Sequence, residues 1–134
     1  MSTETNLSAL HRALECFNDP ARRASYLDLY DESVRLIGYA GVEPGLEGVR
    51  KFYENLWATF PDAVVQVEDA FGVDDKVVCR FTLTGTHRGD FLGVAATGKP
   101  ISASGITILR FASGKCVERW SQADFLGVLN QISS

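Results

Sequence analysis

Leu7, Leu10, Leu14 and Phe17 recur at three- and four-residue spacing, and this apolar stripe predicts an amphipathic first helix from about Thr5 to Phe17. Asn18-Asp19-Pro20 interrupts the stripe. Asp19 has the chemistry of an N-cap and Pro20 that of a first helical residue, which predicts a second helix through Tyr26, Leu27 and Tyr30, paired with the first. His11, beside the first stripe, reads as an ordinary surface histidine. Val34 to Ile37 reads as a short strand, and the turn formers from Gly38 to Gly45 read as a loop without a phosphate-binding pattern. Val49, Phe52, Tyr53, Leu56, Trp57 and Phe60 then mark a third helix, about Leu46 to Thr59. Its aromatic stripe suits either a core or one wall of a ligand cavity, because both use the same residue types.

Beyond Phe60-Pro61-Asp62 the period changes from that of a helix to that of a strand. Val64 to Phe71 predicts one strand and Asp74-Asp75 a turn. From Lys76, Val77, Cys79, Phe81, Leu83 and Gly85 then alternate with Val78, Arg80, Thr82, Thr84 and Thr86. A continued pleat places His87 on the apolar, inward side. A long loop follows, then Ile101 to Ala112 and Lys115 to Ala123 flank Ser113-Gly114, a pair suited to a two-residue hairpin loop with positive φ. A final apolar run, Phe125 to Gln131, predicts a closing helix. Helices, then mainly antiparallel strands, then a helix make an α+β chain of one domain over residues 1–134, a curved sheet folded over helices into a cone.

The hairpin loop predicts a register. With Ala112 opposite Lys115 and Phe111 opposite Cys116, a regular ladder sets Leu109 against Glu118, Thr107 against Trp120, Gly105 against Gln122 and Ala103 against Asp124. One face then carries Thr107, Gly105 and Ala103 beside Trp120, Gln122 and Asp124. The small residues leave space there, the outline of a pocket. Arg110 falls on the opposite face with Ile106 and Ile108, and a single β-bulge would reverse its aim. Asp124 has two readings: a carboxylate in the pocket, or the N-cap of the last helix.

A net charge of −4 and the lack of a basic cluster argue against a nucleic-acid partner. The start, Met1 to Asn6, has neither a basic nor an apolar leader segment, and no apolar run approaches membrane-spanning length, so the chain reads as cytoplasmic, with no membrane partner. Cys16, Cys79 and Cys116 form no paired motif and read as core fillers, and His11 and His87 lack metal-ligand spacing. Metal-free chemistry without a cofactor is the expectation.

Phe60-Pro61-Asp62, Gly85-Thr86-His87-x-Gly89-x-Phe91-x-Gly93, Thr97-Gly98, Gly105, Arg110-Phe111, Gly114-Lys115, Glu118-x-Trp120, Asp124 and Gln131 together resemble the SnoaL-like polyketide cyclases, also called ester cyclases, of the nuclear transport factor 2-like (cystatin-like) superfamily. The resemblance runs from about Leu46 to the C-terminus. It implies an α+β cone, a homodimer, a deep apolar pocket and no cofactor. The acidic residue at the position of Asp124 would be the general acid and base of an intramolecular aldol closure. Desolvation would raise its proton affinity toward the working pH. Polyketide-specific members bring a histidine from the strand before the hairpin turn. Residues 101–111 contain none, and Arg110 is the nearest polar substitute.

These residues frame a leading reading: a cofactor-independent enzyme acting on a small hydrophobic carbonyl compound. Asp124 would be acid/base, His87 its hydrogen-bonding partner, and Trp120, Trp57, Phe52, Gln122, Thr107, Gly105 and Arg110 candidates for the pocket. His87 could instead only pin the loop after it. The alternatives are a non-catalytic small-molecule binding domain, or an epoxide hydrolase or isomerase of the same fold, the hydrolase needing a second carboxylate paired through an arginine. The weakly polar face with Ile106 and Ile108 is the expected dimer surface.

Overall fold

A computed structural model describes residues 3–39 and 41–133; Ala40 of the predicted loop, and Met1, Ser2 and Ser134, lie outside the described residues. Helix α1 (Thr3–Phe17) buries Leu10, Ala13, Leu14 and Phe17, the inward side of its predicted stripe. The second predicted helix is a 3₁₀ helix, Arg23–Leu29, instead of an α-helix. Asp19 caps the turn before it, its Oδ1 accepting the Ala21 N–H at 3.0 Å and its Oδ2 the Arg22 Nε–H at 2.9 Å. The chain leaves this helix early because Tyr30 already pairs with Cys116, so strand β1 (Tyr30–Ile37) is longer than the sequence pattern suggests.

Helix α2 (Leu46–Thr59) follows its predicted bounds and buries Val49, Tyr53 and Trp57. Strands β2 (Val64–Val73), β3 (Lys76–Thr86), β4 (Pro100–Ala112) and β5 (Lys115–Ala123) lead to helix α3 (Phe125–Ser133). They form an open five-stranded sheet in the order β1-β5-β4-β3-β2, in which only the β1–β5 pair is parallel. Helix α1 packs on β2 and β3, α2 on β1, and α3 on β4. Ser113 and Gly114 take φ of 52° and 83°, the left-handed pair that the hairpin loop requires.

Strand β4 alternates as its sequence pattern demands: Ile101, Ala103, Gly105, Thr107, Leu109 and Phe111 turn inward and the residues between them outward, Arg110 being half-buried. Strand β5 does not follow the register expected of it. Phe111 faces Cys116, but Arg110 faces Glu118, so Val117 is an extra residue on β5. Every later pair shifts by one. Leu109 meets Arg119, Ile108 meets Trp120, Thr107 meets Ser121 and Gly105 meets Ala123. The bulge keeps Cys116 buried while turning Glu118 and Gln122 away from the interior, Glu118 toward its ion pair with Arg110. The predicted β4 face therefore stands, and the predicted β5 face is inverted.

Candidate functional site

Between the helices and the inner face of the sheet lies a cavity of about 500 Å³. Leu10, Leu14 and Phe17 of α1, Phe52, Tyr53 and Leu56 of α2, Phe81 and Leu83 of β3, and Ala103 and Thr107 of β4 form its walls. Gly38, Asp90, Leu92 and Gln122 border it and are exposed, which marks the rim. The volume and the apolar, aromatic walls fit a drug-sized ligand.

The inverted register brings one charged group to this cavity. Arg119 lines it and is only 7% exposed. Its Nε donates to Thr107 Oγ1 at 2.8 Å, and Thr107 in turn donates to the Trp120 carbonyl at 2.9 Å. Its Nη1 faces three phenolic oxygens: Tyr26 at 2.8 Å, Tyr30 at 2.5 Å and Tyr53 at 2.9 Å. Those hydroxyls also bond one another, Tyr26 to Tyr30 at 2.6 Å, Tyr26 to Tyr53 at 3.0 Å and Tyr30 to Tyr53 at 3.1 Å. Burial works against the guanidinium charge, but the oxygens of Tyr26, Tyr30, Tyr39 and Tyr53 outweigh it and hold the proton. Burial likewise pushes the phenols of Tyr30 and Tyr53 well up and that of Tyr39 to about 12, so all three are neutral at physiological pH. The chain's four tyrosines thus gather around one cation.

Of the pocket residues expected from sequence, Phe52 and Thr107 line the cavity and Gln122 borders its rim. The others stand elsewhere. Trp57 is buried beside Phe17 and Tyr53, under the Arg23 guanidinium at 5.4 Å, and is not on the cavity wall. Trp120 is half-buried on the outer face, turned there by the Val117 bulge. Gly105 is a close-packing point: an added Cβ would lie 2.6 Å from Phe81 Cζ and 2.9 Å from the Gln122 carbonyl oxygen, so no ligand space opens there. Arg110 stays on the outer face, as the sequence register has it, with its Nε 2.6 Å from Glu118 Oε1.

Asp124 is exposed at the start of α3, and its Oδ1 accepts the Gly127 N–H at 2.8 Å. This is the N-cap arrangement. Gly127 leaves room for it, since a Cβ there would lie 2.3 Å from Asp124 Oδ2. The expected place of this carboxylate inside the pocket is corrected by the register shift, which gives residue 124 the outward parity. His87 does turn inward and is fully buried, yet it too is off the cavity wall. Its Nδ1 accepts the Thr97 N–H at 3.2 Å, which places the ring proton on Nε2, and faces Thr97 Oγ1 at 2.9 Å. Backbone bonds from His87 N to Lys99 O and from Gly98 N to His87 O, each 2.9 Å, complete a clamp on the loop.

Several residues that carry the family resemblance are architectural. Asp62 accepts from the Thr86 N–H and hydroxyl, both at 2.7 Å, and Gln131 bonds both the N–H and the carbonyl of Ser102 at 2.8 Å. Sequence reasoning missed Arg119, Tyr26, Tyr39, Tyr53 and Ser121. One signal was present: Glu118-Arg119 are adjacent, so a regular strand turns one of them inward, and the chain's four tyrosines offer phenolic oxygens to an inward arginine.

The model of the SnoaL-like polyketide cyclase family matches residues 9–132. No curated protein matches the chain. Among solved structures, TsrD from Streptomyces laurentii is 27% identical with a TM-score of 0.85, covering 98% of this chain and 97% of its own. AclR from Streptomyces galilaeus, 24% identical, superposes with a TM-score of 0.85 over 98% of both chains. A SnoaL-like polyketide cyclase from Agrobacterium tumefaciens, 20% identical, superposes with a TM-score of 0.79 over 98% of both. The last two speak to the fold alone, and they bear out the α+β, nuclear transport factor 2-like architecture expected from the sequence.

Proposed function

The chain belongs to the SnoaL-like polyketide cyclase family, and from that premise we propose that it takes a small hydrophobic carbonyl compound into the 500 Å³ cavity and promotes carbon-acid chemistry on it, ring closure or isomerisation, with no cofactor. The observation that supports this most is the division of the cavity wall. Aliphatic and aromatic side chains surround most of it, and among its polar residues Arg119, Thr107, Tyr26 and Tyr53 form one hydrogen-bonded cluster, while Asp90 and Gln122 lie at the rim. Such a wall desolvates an apolar skeleton and leaves its oxygen few orientations, which is how positioning lowers a barrier.

Asp124 remains the acid/base in this proposal on the strength of the resemblance. It sits between Ala123 and Phe125, both of which line the cavity, and one cap bond to Gly127 holds it outward. Catalytic hydrogen bonds often form only with substrate in place, and in this proposal the carboxylate leaves its cap bond and rotates toward the mouth when the ligand binds. His87, engaged by Thr97, acts in this reading on the loop and not on substrate. The outer face with exposed Ile106 and Ile108 is proposed as a homodimer surface, and Ile106→Arg should shift light scattering from dimer to monomer.

Deuterium exchange at the α-carbon of 2-acetyl-1-tetralone, followed by NMR, tests the chemistry. The expected outcome is faster exchange with protein than in buffer, reduced about a hundredfold in Asp124→Asn. Undiminished exchange in that variant relieves Asp124 of the role. Saturable binding without exchange selects the second reading, a non-catalytic binding domain. One observation favours that reading: among the cavity-lining residues, the exposed Asp90 supplies the one carboxylate and there is no imidazole. An epoxide hydrolase draws no support, because Arg119 is surrounded by phenols and not by carboxylates.

A further inference from the structure

Buried arginines are ordinarily paired with carboxylates, since an unpaired ion costs several kcal/mol to desolvate. Arg119 departs from this. It is 7% exposed, and each ion pair among the described residues involves other cations: Arg22, Arg35, Arg50, Lys76 and Arg110. Neutral oxygens occupy its Nε and Nη1, and its Nη2 donates no hydrogen bond to any described residue. The side chain lines the cavity, so this donor and this uncompensated charge belong to a place shaped for a ligand.

We infer that Arg119, framed by Tyr26, Tyr53 and Thr107, is an oxyanion subsite of the cavity and takes a ligand whose apolar body carries an anionic oxygen, as an enolate or a carboxylate does. The inference rests on the reading that the cavity is where the ligand binds. The chemistry follows from the surroundings. An anionic oxygen reaching Nη2 forms a charge-assisted hydrogen bond in a low-dielectric cavity, where water does not compete. The phenols cannot serve as the counter-ion themselves, because burial keeps Tyr30, Tyr39 and Tyr53 protonated. For an enolisable ketone the same contact favours the enolate over the neutral form, so the site that binds the anion also acidifies the α-carbon. The bland alternative is that Arg119 only ties β5 to β1, α2 and the 3₁₀ helix through the three phenols. A purely structural tie has no reason to sort ligands by charge.

The test compares 2-naphthoate with 2-acetonaphthone, similar in size but anionic and neutral, by calorimetric titration. The wild type should bind 2-naphthoate about tenfold tighter or more. Arg119→Met should erase that preference, and Arg119→Lys should restore part of it. The tyrosine hydroxyls lie within bonding distance of one another, so they stay satisfied in the methionine variant, and circular dichroism checks that it folds. If it does not fold, side-chain ¹⁵N spectra of the wild type decide: the Arg119 Nη signals should move with 2-naphthoate and not with 2-acetonaphthone. A third probe separates the two anions. The absorbance of bound 2-acetyl-1-tetralone should show its enolate forming at lower pH than in buffer if the subsite serves enolates, and at unchanged pH if it serves carboxylates alone. Equal binding of the naphthyl probes by the wild type, or a preference that survives Arg119→Met, overturns the subsite while sparing the cavity. Failure of both probes to bind the wild type overturns the cavity reading and this inference with it.

Discussion

Arg110 and Arg119 stand on the two faces of the same hairpin and meet opposite chemistry. Arg110, on the outer face, has a carboxylate at 2.6 Å, and the side chains of that pair are 35% and 20% exposed. Arg119, on the inner face, is 7% exposed and has only hydroxyls. The outer pair is screened by water and adds little to stability. The inner cation is retained at a cost in desolvation, and residues so placed are where function is expected. What separates them is Val117, the single extra residue that decides which of Glu118 and Arg119 turns inward.

Exchanging Glu118 and Arg119 is therefore the most damaging way to break the comparison. With the bulge kept, the double variant E118R/R119E sets a shorter side chain of opposite charge among the phenols and an arginine opposite Arg110. The expected cost is about 3 kcal/mol or more, seen as a lower melting temperature and weaker near-ultraviolet circular dichroism. An exchanged variant with a normal melt would show that the facing of these two residues does not organise the interior.

Alkali attacks the inner face alone. The phenols of Tyr30, Tyr39 and Tyr53 have folded pKa values raised above the ordinary 10, that of Tyr39 to about 12, and the Cys116 thiol is raised from 9 to about 12, all chiefly by burial. A raised folded pKa means that the unfolded chain releases its proton first as pH rises. Stability is then fully present below the unfolded pKa and is lost above it, at about 1.4 kcal/mol per pH unit for each such group. Melting temperature should hold to about pH 9 and fall steeply above pH 10, with tyrosinate absorbance appearing together with unfolding instead of before it.

Smaller effects belong to the outer face. Asp124→Ala should cost about 1 kcal/mol in urea unfolding and Asp124→Asn almost nothing, because asparagine caps equally well. A stability gain in both variants would mean that the carboxylate is buried and strained. Arg110→Met should cost less than about 0.5 kcal/mol, the usual worth of a solvated pair, and should leave the naphthoate preference intact. A loss comparable to that of a buried pair would erase the distinction between the two arginines.

Much of this protein is legible in its local patterns. The stripes of α1 and α2, the alternation of β3 and β4, the inward turn of His87 and the left-handed pair Ser113-Gly114 all follow from the periods and steric demands of short segments. The motif residues likewise pointed to the family, since Asp62 and Gln131 fasten the architecture that its members share. The same patterns misplaced Trp120 and Asp124, because alternation along β5 was counted from the hairpin turn without the bulge. A bulge is decided by what becomes buried on each side of the strand. For β5 that is a contest between Glu118 and Arg119 for phenols lying 93, 89 and 66 residues from Arg119 in the chain. No local period records such partners. Only the closed tertiary structure brings the tyrosines together, and their oxygens, with that of Thr107, make the arginine tolerable inside while Glu118 meets Arg110 outside.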